Sequence, residues 1–369
     1  MTNWVNPWLA CDLFSWGRLV IPHWRELRPR QAGVLLAVTA VAALNSLLGL
    51  IQQSLLLTPW VRTSRVSDPL FVIGHWRSGT TVLHHLLSLD PQFTYPNNYV
   101  CFAPHHFLLT EWLLRDGFNW LVPSHRPMDS LPLGAQDPQE DEFALLGLGA
   151  ASPYSAIAFP AKGLCMTDHL TRDMANDQQV LRWKKKMAWL VHALTVRQRK
   201  RVVFKSPAHT LRVKTLLSMY PDSQFVCVTR SPMDTVASTI AMWKAMCEAY
   251  ALGDTSDAQW EAAAYDDYMA FHGTMHALRD SLGPRQYVEI AYTQLLEDPL
   301  GTMRHLYSSL QLGEFDWTSP TARRYLQAVK AHVPQRHALS ESAQQQLAWR
   351  LSAVRSSTRR PSMDPVTPP

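Results

Sequence analysis

Between Pro69 and Leu87 the chain reads PLFVIGHWRSGTTVLHHLL: a short apolar run suited to a buried strand, a turn holding Gly74 and Gly79, and a helical stretch opening on Thr80 and Thr81. Such a turn aims backbone N–H groups and the positive end of a helix at one point, which suits phosphate oxygens. The two glycines have the spacing of a nucleotide-triphosphate loop, GxxxxGK followed by Ser or Thr. Here Thr80 stands where the Lys belongs, so the cation that reaches the outer phosphates is missing, and Arg77 brings positive charge earlier in the turn, beside Ser78.

The rest of the chain extends the same pattern. Apolar runs fit for buried strands occur at Leu70 to Ile73, Val202 to Phe204, Phe225 to Thr229 and Tyr287 to Ala291. Helical stretches separate them: Gly79 to Leu89, Gln178 to Arg199, Ala208 to Tyr220, Met233 to Ala249 and Asp257 to Leu282. Strands spaced by helices predict parallel pairing with crossovers, hence a P-loop-like three-layer α/β sandwich around a central sheet. Residues 90–175 are rich in Pro, His and aromatics with little periodicity, which reads as an insertion shaping a second-substrate pocket. Three regions follow: an aromatic and apolar helical extension over 1–65, a catalytic domain over 66–355, and a disordered tail over 356–369.

Composition excludes several classes. Hydrophobic residues at 47% and charged residues at 18% suit a globular body rather than a disordered or multi-pass membrane chain. A net charge of +5 favours anions, yet the basic residues form no long block and no nucleic-acid-binding signature, so no nucleic-acid partner is expected. The five cysteines lie far apart without a CxxC pair, which suits reduced thiols and neither a disulfide framework nor a zinc site. No secretory signal is evident, so a cytoplasmic location is expected, with the membrane surface open as a variant. The stretch Gly33 to Ile51 is uncharged and near the roughly 20 apolar residues a membrane crossing needs. It reads as a spanning helix, an interfacial segment held by neighbouring Trp and Arg, or a helix packed on the body or on a second subunit. The last two are favoured, which leaves peripheral membrane contact through residues 1–65 and homo-oligomerisation both open.

The segment from Pro69 to Leu87 resembles the sulfotransferase superfamily, in the branch whose loop reads RSGTT; landmarks of that superfamily run from about Pro69 to Leu312. The resemblance implies an enzyme with a parallel five-stranded sheet, a 3′-phosphoadenosine 5′-phosphosulfate donor and metal-free in-line transfer to a hydroxyl or amine. It places Gly74, Arg77, Ser78, Gly79, Thr80 and Thr81 around the 5′-phosphate. A phosphosulfate asks for donors on one phosphate and a cation at the bridging oxygen where charge develops, a task Arg77 can serve. Arg230 and Ser238, in QFVCVTRSPMDTVAST, match the family's 3′-phosphate contacts; a structural pair of Arg230 with Asp234 is the alternative. Tyr292 matches a family tyrosine near the adenine, though Thr293 replaces the usual acidic neighbour, and a core role for the ring is equally open.

For the chemistry, Lys205 at a strand end resembles the family lysine that contacts the sulfonyl or bridging oxygen. A hydroxyl nucleophile needs a base, and DPQEDEF offers Glu140 first and Glu142 second, like the acidic cluster of this branch. His105, His106 and His209 are rival bases. His84 and His85 lack neighbouring ligands, so no metal is expected. The acceptor is left as a small molecule, carbohydrate or lipid. Two rival functions remain: an ATP-dependent phosphoryl transferase with a degenerate loop, and a non-catalytic nucleotide-binding protein at the membrane.

Overall fold

The computed structural model describes residues 6–54, 66–118, 134–162, 165–256, 259–334 and 337–358. Its centre is a five-stranded parallel sheet in the order β2-β3-β1-β4-β5. The strands are β1 (Leu70–Gly74), β2 (Phe93–Thr94), β3 (Arg201–Lys205), β4 (Gln224–Thr229) and β5 (Tyr287–Ala291). Their registers are in step, with Leu70 opposite both Val203 and Gln224, and Phe225 opposite Tyr287.

Alternation along the strands builds the three layers. Phe71, Ile73, Val202, Phe204, Phe225 and Cys227 pack in one core, while Leu70, Val72, Val203, Val226 and Val228 pack in another on the opposite face. The first core takes apolar side chains from α6 (Asp177–Arg197), α7 (Pro232–Tyr250) and α8 (Trp260–Ser281). The second takes them from α3 (Thr80–Ser88), α10 (Pro299–Leu310) and α11 (Pro320–Ala331). The β1 burial is complete at all five residues, which explains its unbroken apolar run. Helix α9 (Tyr292–Glu297) follows β5 directly, and α12 (Glu341–Thr358) closes the described chain.

Several expectations change. The stretch Ala208 to Tyr220 is not one helix: a 3₁₀ segment over Pro207–Arg212 precedes a short α-helix over Val213–Leu217. Its side chains His209 and Arg212 are drawn into buried bonds, described below, that hold the tighter winding. The stretch expected from Asp257 begins as helix at Trp260, with 257–258 outside the described residues. Residues 90–175 are not without regular structure, since they hold β2, α4 (Phe107–Phe118), α5 (Asp141–Gly147), two further short α-helices and two 3₁₀ segments; 119–133 lie outside the described residues. The expected tail is helical through Thr358, with 359–369 outside them.

The N-terminal segment shares the first core. Helices α1 (Leu13–Val20) and α2 (Ala32–Gln52) carry Trp16, Val38 and Ala42 into it, beside Trp8. The Trp8 indole donates to Tyr250 O at 2.9 Å and Ser15 Oγ to Gly147 O at 2.9 Å. A Cβ at Gly147 would lie 2.5 Å from Ala10 O, so the glycine permits this close seam.

Candidate active site

Parallel strands that share a direction bring their carboxyl ends to one edge, where open α/β sheets gather ligands. Four segments singled out in the sequence start there: Gly74 after β1, Lys205 closing β3, Arg230 after β4 and Tyr292 after β5. The fold therefore converges residues spread over more than half of the chain.

The loop after β1 is held by its own atoms. Ser78 Oγ donates to His75 O at 2.8 Å, and Thr210 Oγ1 accepts from Gly74 N at 2.9 Å. The His75 ring, fixed on Trp76 O at 2.8 Å, is pushed down to a pKa of about 4 by burial, so it stays neutral. Gly79 adopts φ +102°, and no side chain caps the start of α3. The first N–H groups of that helix, at Thr80 and Thr81, therefore have no intrahelical acceptor. Arg77 itself holds a left-handed φ of +64°, a conformation that costs a non-glycine residue on the order of 1–3 kcal/mol.

That conformation carries the Arg77 side chain to α7, where its Nε donates to Ser238 Oγ at 2.9 Å. Arg230 donates from Nη1 to Arg77 O at 3.1 Å and lies over the Tyr292 ring at 5.2 Å. Its contact with the exposed Asp234 is longer, at 3.9 Å, so the loop carbonyl is the closer partner. Tyr292 packs on Gly79 so tightly that a Cβ there would fall 2.2 Å from Cδ2 of the ring. Gly79→Ala should therefore lower stability by about 1–3 kcal/mol from the positive φ alone, read from a urea midpoint. Gly283→Ala, with open space at its Cβ, is the control.

A second set of bonds joins this loop to the acidic cluster. The Trp76 indole donates to Tyr154 Oη at 3.0 Å, Tyr154 donates to Glu140 Oε2, and Lys205 Nζ donates to Glu140 Oε1 at 2.5 Å. Burial, then the Glu140 charge, pushes the Tyr154 phenol well above its usual range, so it remains a donor. Trp243 and Phe143 flank Tyr154 at 6.1 and 5.1 Å.

The three consecutive acids divide. Glu140, before α5, is 12% exposed in its side chain, whereas Asp141 and Glu142 are wholly buried. Asp141 Oδ2 pairs with His209 Nε2 at 2.6 Å, and Glu142 Oε2 accepts from Arg212 Nη1 at 2.6 Å. Glu142 and His209 thus sit in sealed pairs that fasten α5 to the segment after β3, where an acceptor hydroxyl does not reach. Of the two carboxylates expected as bases, Glu140 is therefore the less buried, and His209 takes the packed position that was the alternative to its being a base. His105 and His106 bond to the N-terminal side instead: Nε2 of His106 lies 3.1 Å from Asn45 Oδ1, and Nδ1 of His105 lies 3.9 Å from Asp12. His84 is buried, and His85 stacks on Tyr325 at 5.8 Å. Among the described residues no group of three or more His, Cys, Asp or Glu is arranged to hold a metal ion.

Sequence reading did not single out Trp76, although it lies inside the phosphate loop, nor Tyr154, which lies in an unpatterned stretch, nor His337. The last is half-buried between α11 and α12, and its imidazole is pushed down by burial and then by Arg77 and Arg230. The link after α11 thus returns to the phosphate-loop side of the site, and no motif marks it.

A glycine-bearing loop at the carboxyl edge of a five-stranded parallel sheet, with cations at adjoining strand ends, is the arrangement of a group transferase that acts on an anionic donor. The sulfotransferase family matches residues 69–317, and the chain belongs to that family. It is 34% identical over 325 residues to the omega-hydroxy-beta-dihydromenaquinone-9 sulfotransferase Stf3 of Mycobacterium bovis, covering 88% of this chain and 84% of that protein. The corresponding protein of Mycobacterium tuberculosis matches equally. The fold is shared with sulfotransferase STF9 of Mycobacterium avium, at a TM-score of 0.69 and 19% identity over 95% of this chain and 92% of that one. Sulfotransferase STF1 of Mycobacterium tuberculosis superposes with a TM-score of 0.61 and 19% identity, over 92% of this chain and 91% of that one. The protein is a sulfotransferase.

Proposed function

We propose that the donor is 3′-phosphoadenosine 5′-phosphosulfate and that the acceptor is the hydroxyl of a lipid alcohol. One observation carries the donor: Arg77, Arg230, Ser238 and Tyr292, from three strand ends and one helix, meet around the loop after β1. Loop N–H groups from Gly79 to Thr81 hold the 5′-phosphate, with Ser78 shaping the turn. Arg230 and Ser238 hold the 3′-phosphate, and Tyr292 lies on the adenine side. The lipid class is supported by the relative whose name gives a hydroxylated menaquinone as its acceptor, and by the aromatic side chains around Glu140.

The acceptor oxygen attacks sulfur in line as the bond from sulfur to the bridging oxygen breaks. Glu140 takes the hydroxyl proton, and Arg77 and Lys205 stabilise the charge left on the phosphate. Lys205 exchanges its bond to Glu140 for one to the donor, which releases the carboxylate for its work as base.

Calorimetry tests the donor. Adenosine 3′,5′-bisphosphate should bind without added metal, and more tightly than ATP with Mg²⁺. Arg230→Ala should cost about 1.5–3 kcal/mol of bisphosphate affinity, the worth of a charged hydrogen bond, and leave adenosine 5′-phosphate affinity nearly unchanged. Equal losses for both nucleotides would place Arg230 away from the 3′-phosphate. Transfer of labelled sulfonyl to polyprenyl alcohols and hydroxylated quinones, but not to simple sugars, tests the acceptor class.

A further inference from the structure

Helix α2 is inside out. A helix on a water-soluble body turns polar residues outward and apolar residues inward. Here Leu36, Leu44, Leu47 and Leu50 are 74, 52, 56 and 66% exposed, with Ala40 and Ala43 exposed between them on the same stripe. Two polar residues, Asn45 and Gln52, face the protein together with Val38 and Ala42. Asn45 is 3% exposed and donates to Leu9 O and Cys11 O at 2.8 and 2.9 Å. Gln52 is fully buried, donates to His105 O at 2.9 Å and accepts from Leu109 N at 3.1 Å. The helix carries no charged residue, and from Pro29 to Gln52 it is long and apolar enough to cross a bilayer, with 17% of its most apolar window buried.

Length and composition alone would allow a span, but the bonds oppose it. Crossing would strip Asn45 and Gln52 from their backbone partners and place their amides in hydrocarbon, where nothing replaces those bonds. Ser46 Oγ also accepts from Leu13 N at 2.9 Å, which ties α2 to the start of α1.

We propose that α2 lies in the plane of an anionic phospholipid membrane, its outer stripe in the acyl region and its polar side on the enzyme. Neighbouring elements widen the apolar face. Leu13 and Phe14 on α1 are 45 and 71% exposed, and Trp112 and Leu113 on α4, which packs against α2, are 76 and 63% exposed. Cations mark the rim. Arg18 and Arg30 are exposed, with Arg18 over the Phe14 ring at 5.6 Å. At the other end of the stripe, Lys185 and Lys186 line a cavity of about 460 Å³ beside Gly49, Leu50 and Gln53. A basic rim around an apolar stripe fits headgroup phosphates over acyl chains. A second copy of this chain fits less well, because a two-fold contact would set these cations against their own kind. The docking suits a lipid acceptor but does not depend on one.

Flotation of the full chain with vesicles of phosphatidylcholine and phosphatidylglycerol, without donor or acceptor, tests the proposal. Wild type should float, and should do so less at high salt. Leu44→Glu with Leu47→Glu should cut the bound fraction roughly tenfold while the far-ultraviolet circular dichroism is unchanged. Brominated acyl chains should quench a fluorescence component that Trp112→Phe removes. A wild type that stays unbound at low salt overturns the proposal. So does a stable dimer in solution that the two glutamates split without any change in vesicle binding. Because no reactant is present, these results are independent of the transfer assay, and a failed transfer assay leaves them standing.

Discussion

Glu140→Gln should lower kcat for sulfonyl transfer by about 10²–10⁴-fold, the usual worth of a positioned base, with bisphosphate affinity nearly unchanged. Among Glu140, Asp141 and Glu142, Glu140 alone retains some exposure, and its two oxygens accept from the buried Lys205 and Tyr154. Glutamine keeps the shape and one acceptor oxygen, so Lys205 and the Tyr154 bond to Trp76 should hold their places. Tyr154→Phe separates positioning from proton transfer. It removes one bond to the carboxylate and one acceptor for Trp76 Nε1, and should lower kcat less than Glu140→Gln does. Steady-state rates with saturating donor make the comparison. A Glu140→Gln enzyme with wild-type kcat would move the base elsewhere.

How far the sequence could be read follows from what each signal reports. Short unbroken apolar runs wrote β1, β3, β4 and β5 into the chain because each strand is largely covered on both faces, whereas the two residues of β2 are too few to form such a run. The phosphate loop was legible because Gly74 and Gly79 take backbone angles that favour glycine. The Arg77 link to Ser238 was not, since it spans 161 positions and depends on a left-handed φ at an arginine. The acidic run Glu140 to Glu142 was visible as a cluster, but its division was hidden. Which acid remains reachable is set by the turn into α5 and by the spacing of Lys205, His209 and Arg212, which face the three acids in order. Likewise, the apolar stretch from Gly33 to Ile51 was plain, yet nothing in its composition says which side holds Asn45.

Arg212→Met should destabilise the fold by about 3–5 kcal/mol, because it leaves Glu142 charged and buried without its partner. The guanidinium donates to Glu142 Oε2 and Oε1 at 2.6 and 3.2 Å and to Ala151 O at 2.9 Å, and it lies 4.8 Å from the centre of the Trp183 ring. After its removal Ser206 Oγ, at 3.4 Å, is the hydrogen-bond partner left to the carboxylate among the described residues. The double replacement Arg212→Met with Glu142→Leu should cost far less than the sum of the single changes, since an apolar pair of similar volume needs no compensation. Urea melts of the four proteins close that cycle. Additive losses would mean that the pair contributes packing alone. A large coupling would show that the acid two places after Glu140 anchors α5 through its pairing with Arg212.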